Sequence, residues 1–124
     1  MRVIIAGSRS ITEYLKVCDA IRESGFVITR IVSGMARGVD SLAVRYADEH
    51  GIPSDKFPAD WERWGKSAGY RRNEEMAKHA DALIALWDGE SRGTKHMIEI
   101  AVKQRLEVHV SQVRAKTREI EMDR

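Results

Sequence analysis

Three short stretches of the sequence each combine glycine, a hydroxyl and an arginine. They are Gly7-Ser8-Arg9, Ser33-Gly34-Met35-Ala36-Arg37-Gly38 and Asp88-Gly89-Glu90-Ser91-Arg92-Gly93. Glycine lets backbone N–H groups approach a bound molecule closely. A helix that opens after such a stretch adds unpaired N–H groups and the positive end of its dipole. Arginine adds a planar fork of donors that matches a phosphate. These residue types together describe an anion site, with Arg9, Arg37 and Arg92 supplying the charge. The competing account is a set of tight turns with solvated arginines. Recurrence of the same combination in all three stretches favours the site.

The elements that must position these stretches follow from the apolar spacing. Val3-Ile4-Ile5-Ala6 is a β-branched run that reads as a strand buried on both faces. Thr12 is placed to cap a helix to about Ser24, with Gly25 at its end and Leu15, Cys18 and Ile21 facing the sheet. Cys18 then reads as a core thiol. Phe26 to Val32 is a second strand, and Val39 to Glu49 a helix with Leu42, Ala43, Tyr46 and Ala47 as its apolar stripe. Ile52 to Phe57 is a short strand whose Pro53 assigns it to an edge or an irregular position. Pro58 to Gly69 lacks periodicity and holds Trp61 and Trp64. A polar helix over Tyr70 to His79, a strand over Ala82 to Trp87, a helix capped by Thr94 to about Gln104 and a strand over Leu106 to Val110 complete the pattern.

This alternation predicts an α/β fold, a Rossmann-like three-layer sandwich with a mostly parallel sheet of about five strands. Residues 1–112 form the domain and 113–124 a charged tail. In such sheets ligands bind beyond the carboxyl ends of the strands, where the strand order switches. The three arginine-bearing stretches all fall at strand ends.

Composition narrows the function. The chain has 124 residues, 43% hydrophobic and 32% charged, with 21 basic and 19 acidic residues for a net charge of +2. That near-balance argues against a strongly cationic protein that coats nucleic acid. One cysteine excludes a disulfide framework and a multi-thiolate metal site. The four histidines, His50, His79, His96 and His109, are scattered, so a metal site is not expected, and no cofactor is assigned. No apolar run approaches the ~20 residues of a membrane span. The start of the chain does not read as a signal peptide, and a cytoplasmic setting is expected. Gly7-Ser8-Arg9-Ser10-Ile11 lacks the later glycines of the dinucleotide fingerprint, and no Gly-Lys-Ser/Thr of a Walker loop is present, since Gly65-Lys66-Ser67 has Asp60 where that loop carries its first glycine. An ordinary dehydrogenase or ATPase is thereby disfavoured.

Several segments carry a family resemblance. Ser33-Gly34-Met35-Ala36-Arg37-Gly38-Val39-Asp40 resembles a segment of the DNA-processing protein A family. Arg72-Asn73-Glu74-Glu75-Met76 and Ala80-Asp81-Ala82-Leu83-Ile84-Ala85 resemble segments of Lonely-guy phosphoribohydrolases, whose G-T pair is matched by Gly93-Thr94. Both families belong to the SLOG superfamily. Gly7-Ser8-Arg9, Pro58-Ala59-Asp60-Trp61, Ala68-Gly69, Arg72-Asn73 and Asp88-Gly89 through Thr94 are similar to its small stand-alone YspA-type branch. The resemblance implies a site for a nucleotide or nucleotide-derived phosphate ligand, in a sensor or processing domain that forms homo-oligomers. The alternatives it leaves are a single-stranded nucleic-acid-binding module and an N-glycosidase acting on a nucleoside monophosphate. Met97 stands where the phosphoribohydrolases carry a glutamate, and Glu99 lies on another face of the same helix.

The candidate ligand residues are therefore Gly7, Ser8, Arg9, Ser33, Gly34, Arg37, Gly38, Asp40, Trp61, Arg72, Asn73, Gly89, Ser91, Arg92, Gly93 and Thr94. Asp40 could accept from ribose hydroxyls or simply favour its helix N-terminus. Trp61 could stack on a base or pack as a lid. Asp60 and Asp88 could act as bases or as caps. Arg72, Asp88 and Glu99 are the candidates for catalysis, with no reaction assigned; His96 is a candidate for ligand contact, and Trp64 and Trp87 are assigned to packing. On this reading Arg37→Ala and Arg92→Ala weaken phosphate-bearing ligands without loss of stability, and Gly38→Val weakens them more.

Overall fold

The structure, a computed structural model, describes residues 1–114. The β-branched run forms β1 (Arg2–Gly7), with Val3 to Ala6 buried on both faces. The chain continues through α1 (Tyr14–Ser24), β2 (Arg30–Ser33), α2 (Val39–Glu49), β3 (Ser54–Lys56) and the single-turn α3 (Trp61–Trp64). After a 3₁₀ turn it forms α4 (Ala68–Lys78), β4 (Ala82–Trp87), α5 (Arg92–Lys103) and β5 (Glu107–Gln112). The five strands make one sheet in the order β3-β2-β1-β4-β5, with every pairing parallel.

Successive side chains on a strand point to opposite faces, and the core divides accordingly. Val3, Ile5, Ile31, Ile84 and Leu86 face α1 and α2 through Val17, Ile21, Val39, Ala43 and Ala47. Ile4, Val32, Leu83 and Ala85 face α4 and α5 through Met76, Ala77, Met97 and Ala101. This is the three-layer sandwich expected from the alternation of strands and helices. The two innermost strands are matched Ile4 to Leu83, and the order reverses between them: the chain steps outward from β1 to β3, then returns to place β4 on the other side.

Several element boundaries differ from the sequence reading. Helix α1 opens at Tyr14 after Glu13, and no side chain caps it, so Thr12 does not serve as the cap. Its buried stripe is Val17, Ala20 and Ile21, while Leu15 is 73% exposed. Leu15 precedes Val17 by two residues, about 200° around the helix, so the two cannot share a face. Cys18 is only half-buried. Strand β2 is shorter than Phe26 to Val32 because β1 begins at Arg2, which pairs with Arg30; Phe26 and Ile28 pack against the core from outside the sheet. Strand β5 lies later than Leu106 to Val110, pairing as far as Gln112 with Trp87. The aperiodic stretch contains α3 and the 3₁₀ turn, and α4 opens at Ala68 rather than Tyr70. The core also extends past residue 112, because Val113 is buried and its N–H donates to the Trp87 carbonyl at 2.9 Å. The remainder of the expected tail, 115–124, lies outside the described residues.

Gly7 marks the tightest point. A Cβ there would stand 2.7 Å from Val39 Cγ2 and would also collide with the Leu86 carbonyl oxygen. Forcing a methyl into such a contact costs roughly 1–3 kcal/mol. Gly7→Ala is therefore expected to lower the unfolding free energy by that amount, read as a lower urea midpoint at an unchanged m-value. An unaltered midpoint would show that the strand end has room to spare.

Candidate functional site

Beyond the carboxyl ends of β1 and β4 lies a cavity of about 260 Å³. It stands at the switch in strand order, where an α/β sheet opens a crevice. Ala6 and Gly7 at the end of β1, with Met76 and Met97 from α4 and α5, supply apolar surface. Ala36 and Asp40 come from the loop after β2 and the first turn of α2. Trp61 opens α3, Lys66 sits on the 3₁₀ turn, and Gly69 and Tyr70 stand in the first turn of α4. Ser91, Gly93 and Thr94 form the entry to α5.

The α5 entry is built by local hydrogen bonds. Ser91 is its N-cap, and the Ser91 hydroxyl accepts from the Thr94 N–H at 3.3 Å and meets the Thr94 hydroxyl at 3.0 Å. Asp88 holds the preceding turn by accepting from the Glu90 and Ser91 amides, both at 2.8 Å. Burial raises the Asp88 carboxyl, but these amides outweigh it and leave the group below its ordinary value. The first N–H groups of α5 have no acceptor within the helix. They sit at the positive end of its dipole, and the cavity lies against that end.

Charge of both signs surrounds the space. Arg9, Lys66 and Arg72 line it, and Asp40 is the one carboxylate among the described residues that does so. The Arg72 side chain is fixed from behind: its Nη1 donates to the Gly34 carbonyl and its Nε to Asn73 Oδ1. Burial pulls the Arg72 guanidinium below its usual value, opposed by Asp40 and aided by Arg9. Asp40 is 5% exposed and accepts from the Ala36 N–H at 3.1 Å. Burial pushes its carboxyl from 3.8 up to about 6, against the contrary pull of the Ala36 amide, Arg72, Arg9 and the Gly7 amide. Asn73 is buried and wholly engaged, donating to the Gly93 carbonyl at 3.3 Å and meeting His96 Nδ1 at 3.1 Å.

Of the residues singled out in the sequence, Gly7, Arg9, Asp40, Trp61, Arg72, Asn73, Ser91, Gly93 and Thr94 line this one cavity. Seven do not. Ser8 and Ser33 are buried and tie loops together: Ser8 accepts from the Asp88 N–H, and Ser33 donates to the Asp40 carbonyl while accepting from the Met35 N–H. Gly34 makes room for Arg72 and Asp40, whose atoms occupy the place of a side chain. Gly38 has a φ of 74° and packs against the backbone of Arg9 and Ile11. Its role is to seat one loop on another, so Gly38→Val acts through Arg9. Gly89 is exposed in its turn, with a φ of 86°.

The expected trio of arginines is corrected. Arg37 and Arg92 are exposed and outside the cavity, and only Arg9 lines it. Because Ser91 rather than Thr94 caps α5, Arg92 occupies the first helical position and faces solvent. The cations that stand beside Arg9 are Arg72 and Lys66. Asp60 caps α3, accepting from the Arg63 N–H at 3.1 Å. Glu99 is exposed on α5, and neither it nor Asp88 lines the cavity. The His96 ring lies tilted against Tyr70, with centres 4.4 Å apart, and borders the site through that ring and Asn73. Lys66 was missed because its stretch has no periodicity, and Tyr70 because it opens a helix expected to be polar; the signal available was the Ala68-Gly69 pair between them.

A parallel sheet ordered 3-2-1-4-5 with a polar crevice at its reversal defines a Rossmann-like α/β domain. Residues 1–64 match the profile of the YspA, cpYpsA-related SLOG family (YAcAr), and the chain belongs to that family. It is similar to the Gene 61 protein of Mycobacterium phage D29, 37% identical over 82% of this chain and 89% of that protein. Among solved structures it is similar in fold to DNA processing protein A of Streptococcus pneumoniae. The TM-score is 0.72 at 18% identity, covering 88% of this chain, which spans about half (49%) of that one. A second likeness is to DNA processing protein A of Helicobacter pylori, a structure described for its single-stranded DNA binding mode. There the TM-score is 0.59 at 20% identity, covering 99% of this chain and 73% of that one. No helix among the described residues is long and apolar enough to cross a membrane.

The buried Asp40 gives a pH test of this geometry. Its native form holds a proton more tightly than the unfolded chain does. Ionising it therefore weakens the fold as pH rises from about 4 to about 6, by roughly 2–3 kcal/mol. Asp40→Asn removes that dependence while keeping an acceptor for the Ala36 amide. The melting-temperature difference between variant and parent is expected to grow in the variant's favour across that interval and to level off above it. A difference independent of pH would place Asp40 in contact with water.

Proposed function

We propose that this chain binds a nucleotide unit in the cavity at the sheet's switch point. One observation carries the reading. The open end of α5, three cationic side chains (Arg9, Lys66 and Arg72) and the half-exposed ring of Trp61 all border one space. The cations and the helix end suit phosphate oxygens. Trp61 is 51% exposed and offers a ring face for a base, an interaction worth ~1–3 kcal/mol and indifferent to base identity. The cavity is of the size of one such unit, not of an oligomer.

A nucleotide unit can arrive as a free molecule or as part of a strand. The comparisons favour the strand, because a fold relative of this chain is described by its binding of single-stranded DNA. The surface next to the cavity adds a second support. Trp64 is 38% exposed, with the Arg63 and Arg71 guanidiniums 4.6 and 3.8 Å from its ring, so basic and aromatic groups alternate outside the mouth. The volume of the cavity, which matches one unit, supports the free nucleotide.

Tryptophan fluorescence titrations with a nucleoside monophosphate and with a short single-stranded oligonucleotide, at several salt concentrations, separate the two. A strand reading requires tighter oligonucleotide binding that falls steeply with salt. A free-nucleotide reading requires saturable mononucleotide binding with little salt dependence. In either case Arg9→Ala is expected to cost about tenfold in affinity, equivalent to ~1.4 kcal/mol. Arg37→Ala is expected to stay within about twofold, since the effect first assigned to Arg37 belongs to the cavity arginines. No binding of either molecule would end the proposal.

A further inference from the structure

The cavity is rich in groups that donate hydrogen bonds and poor in groups that accept them. Arg9, Lys66, Arg72 and the first amides of α5 are donors. The acceptors are mostly spent. The Asn73 oxygen holds Arg72 Nε, and the hydroxyls of Ser91 and Thr94 hold each other. Asp40 is the exception. A carboxylate offers about four lone-pair positions. The Ala36 N–H takes one at 3.1 Å and the Gly7 N–H engages another, while the side chain still lines the cavity. A negative charge buried this deeply in a phosphate-binding space would repel a bare oxyanion, and it needs donors to compensate it.

We infer that Asp40 determines which ligands the cavity accepts, by receiving two adjacent hydrogen-bond donors at the non-phosphate end of the ligand and by turning away simple oxyanions. Two parts of a nucleotide carry such a pair: the vicinal hydroxyls of a ribose and the amino–imino edge of guanine. The inference rests on the nucleotide reading above and gives it an orientation. The phosphate lies toward Arg9, Lys66 and α5, and the paired donors lie toward Asp40.

The groups that bear on Asp40 are Arg9 from the loop after β1, Arg72 from α4, and Lys66 and Tyr70 on the cavity wall. His96 stands behind Tyr70, with ring centres 4.4 Å apart. Calorimetry at about pH 7.5 would compare AMP, 2′-deoxy-AMP, GMP and sulfate on the parent and on Asp40→Asn. A good bidentate pair discriminates by about tenfold. The parent is expected to prefer AMP over 2′-deoxy-AMP by that factor if the hydroxyls are read, or GMP over AMP if the base edge is read. Asp40→Asn is expected to shrink the gap to within about twofold and to bind sulfate about tenfold more tightly.

Sulfate keeps its charge between pH 5 and 7.5, so its affinity for the parent is expected to rise as pH falls through the Asp40 transition. This second measurement needs no variant. If the parent binds nucleotides with neither preference, or Asp40→Asn keeps the parent's ratios, the inference is overturned and the nucleotide site stands. A flat sulfate profile in the parent overturns it as well, as does a rise that persists unchanged in Asp40→Asn. If neither nucleotides nor sulfate bind the parent, this inference and the nucleotide site fall together.

Discussion

Two parallel strands that lie side by side part company at their carboxyl ends, and the cavity is the space they leave. The chain leaves β1 for the face covered by α1 and α2, and leaves β4 for the face covered by α4 and α5. No connection can fill the gap between two crossovers that diverge in this way. The width of the gap is set by how closely β1 approaches its neighbours. Gly7 allows the Leu86 carbonyl and Val39 to close in from behind, and the Ser8 N–H then donates to that same carbonyl at 3.0 Å. The cavity therefore has a rigid back and an open front.

What borders the gap is held by contacts between loops. The Ser33 hydroxyl joins both ends of its own loop, Gly38 rests on the Arg9 backbone, and Arg72 reaches across to the Gly34 carbonyl. Asn73 joins the entry of α5 to α4 through the Gly93 carbonyl and His96. The Arg72 donor that faces the cavity is thus anchored by the Gly34 carbonyl and Asn73. Such preorganisation lowers the ordering cost that a guest would otherwise meet on entry.

The sequence reveals those parts of this architecture that depend on regular periodicity. Val3 to Ala6 and Ala82 to Trp87 read as buried strands because both faces of a central parallel strand are covered, and no other element gives so short and unbroken an apolar run. Their ends located the crevice, and glycine with arginine nearby identified Arg9, Gly93 and the Ser33–Asp40 loop. The direction of individual side chains was not legible. Leu15 faces solvent, not the sheet, because the helix stripe is set by Val17 and Ile21, and one apolar residue out of phase does not shift it. Arg92 faces solvent because Ser91, not Thr94, captured the cap. Lys66 reaches the cavity from a stretch that folds as two short turns, where neither a 2.0 nor a 3.6 period exists to be read.

The family signature occupies residues 1–64, yet most of the cavity wall comes later: Lys66 stands on the 3₁₀ turn, Tyr70 and Arg72 on α4, and Ser91, Gly93 and Thr94 at the entry to α5. Arg2 and Asp81, 79 positions apart, are bonded at the base of the central strand pair. A nascent chain emerging from the ribosome can thus display the whole signature before the strand that completes the sheet has been synthesised. Closing the crevice needs contacts between distant parts of the chain, and the segment by which the family is recognised is not the segment that makes most of the chamber.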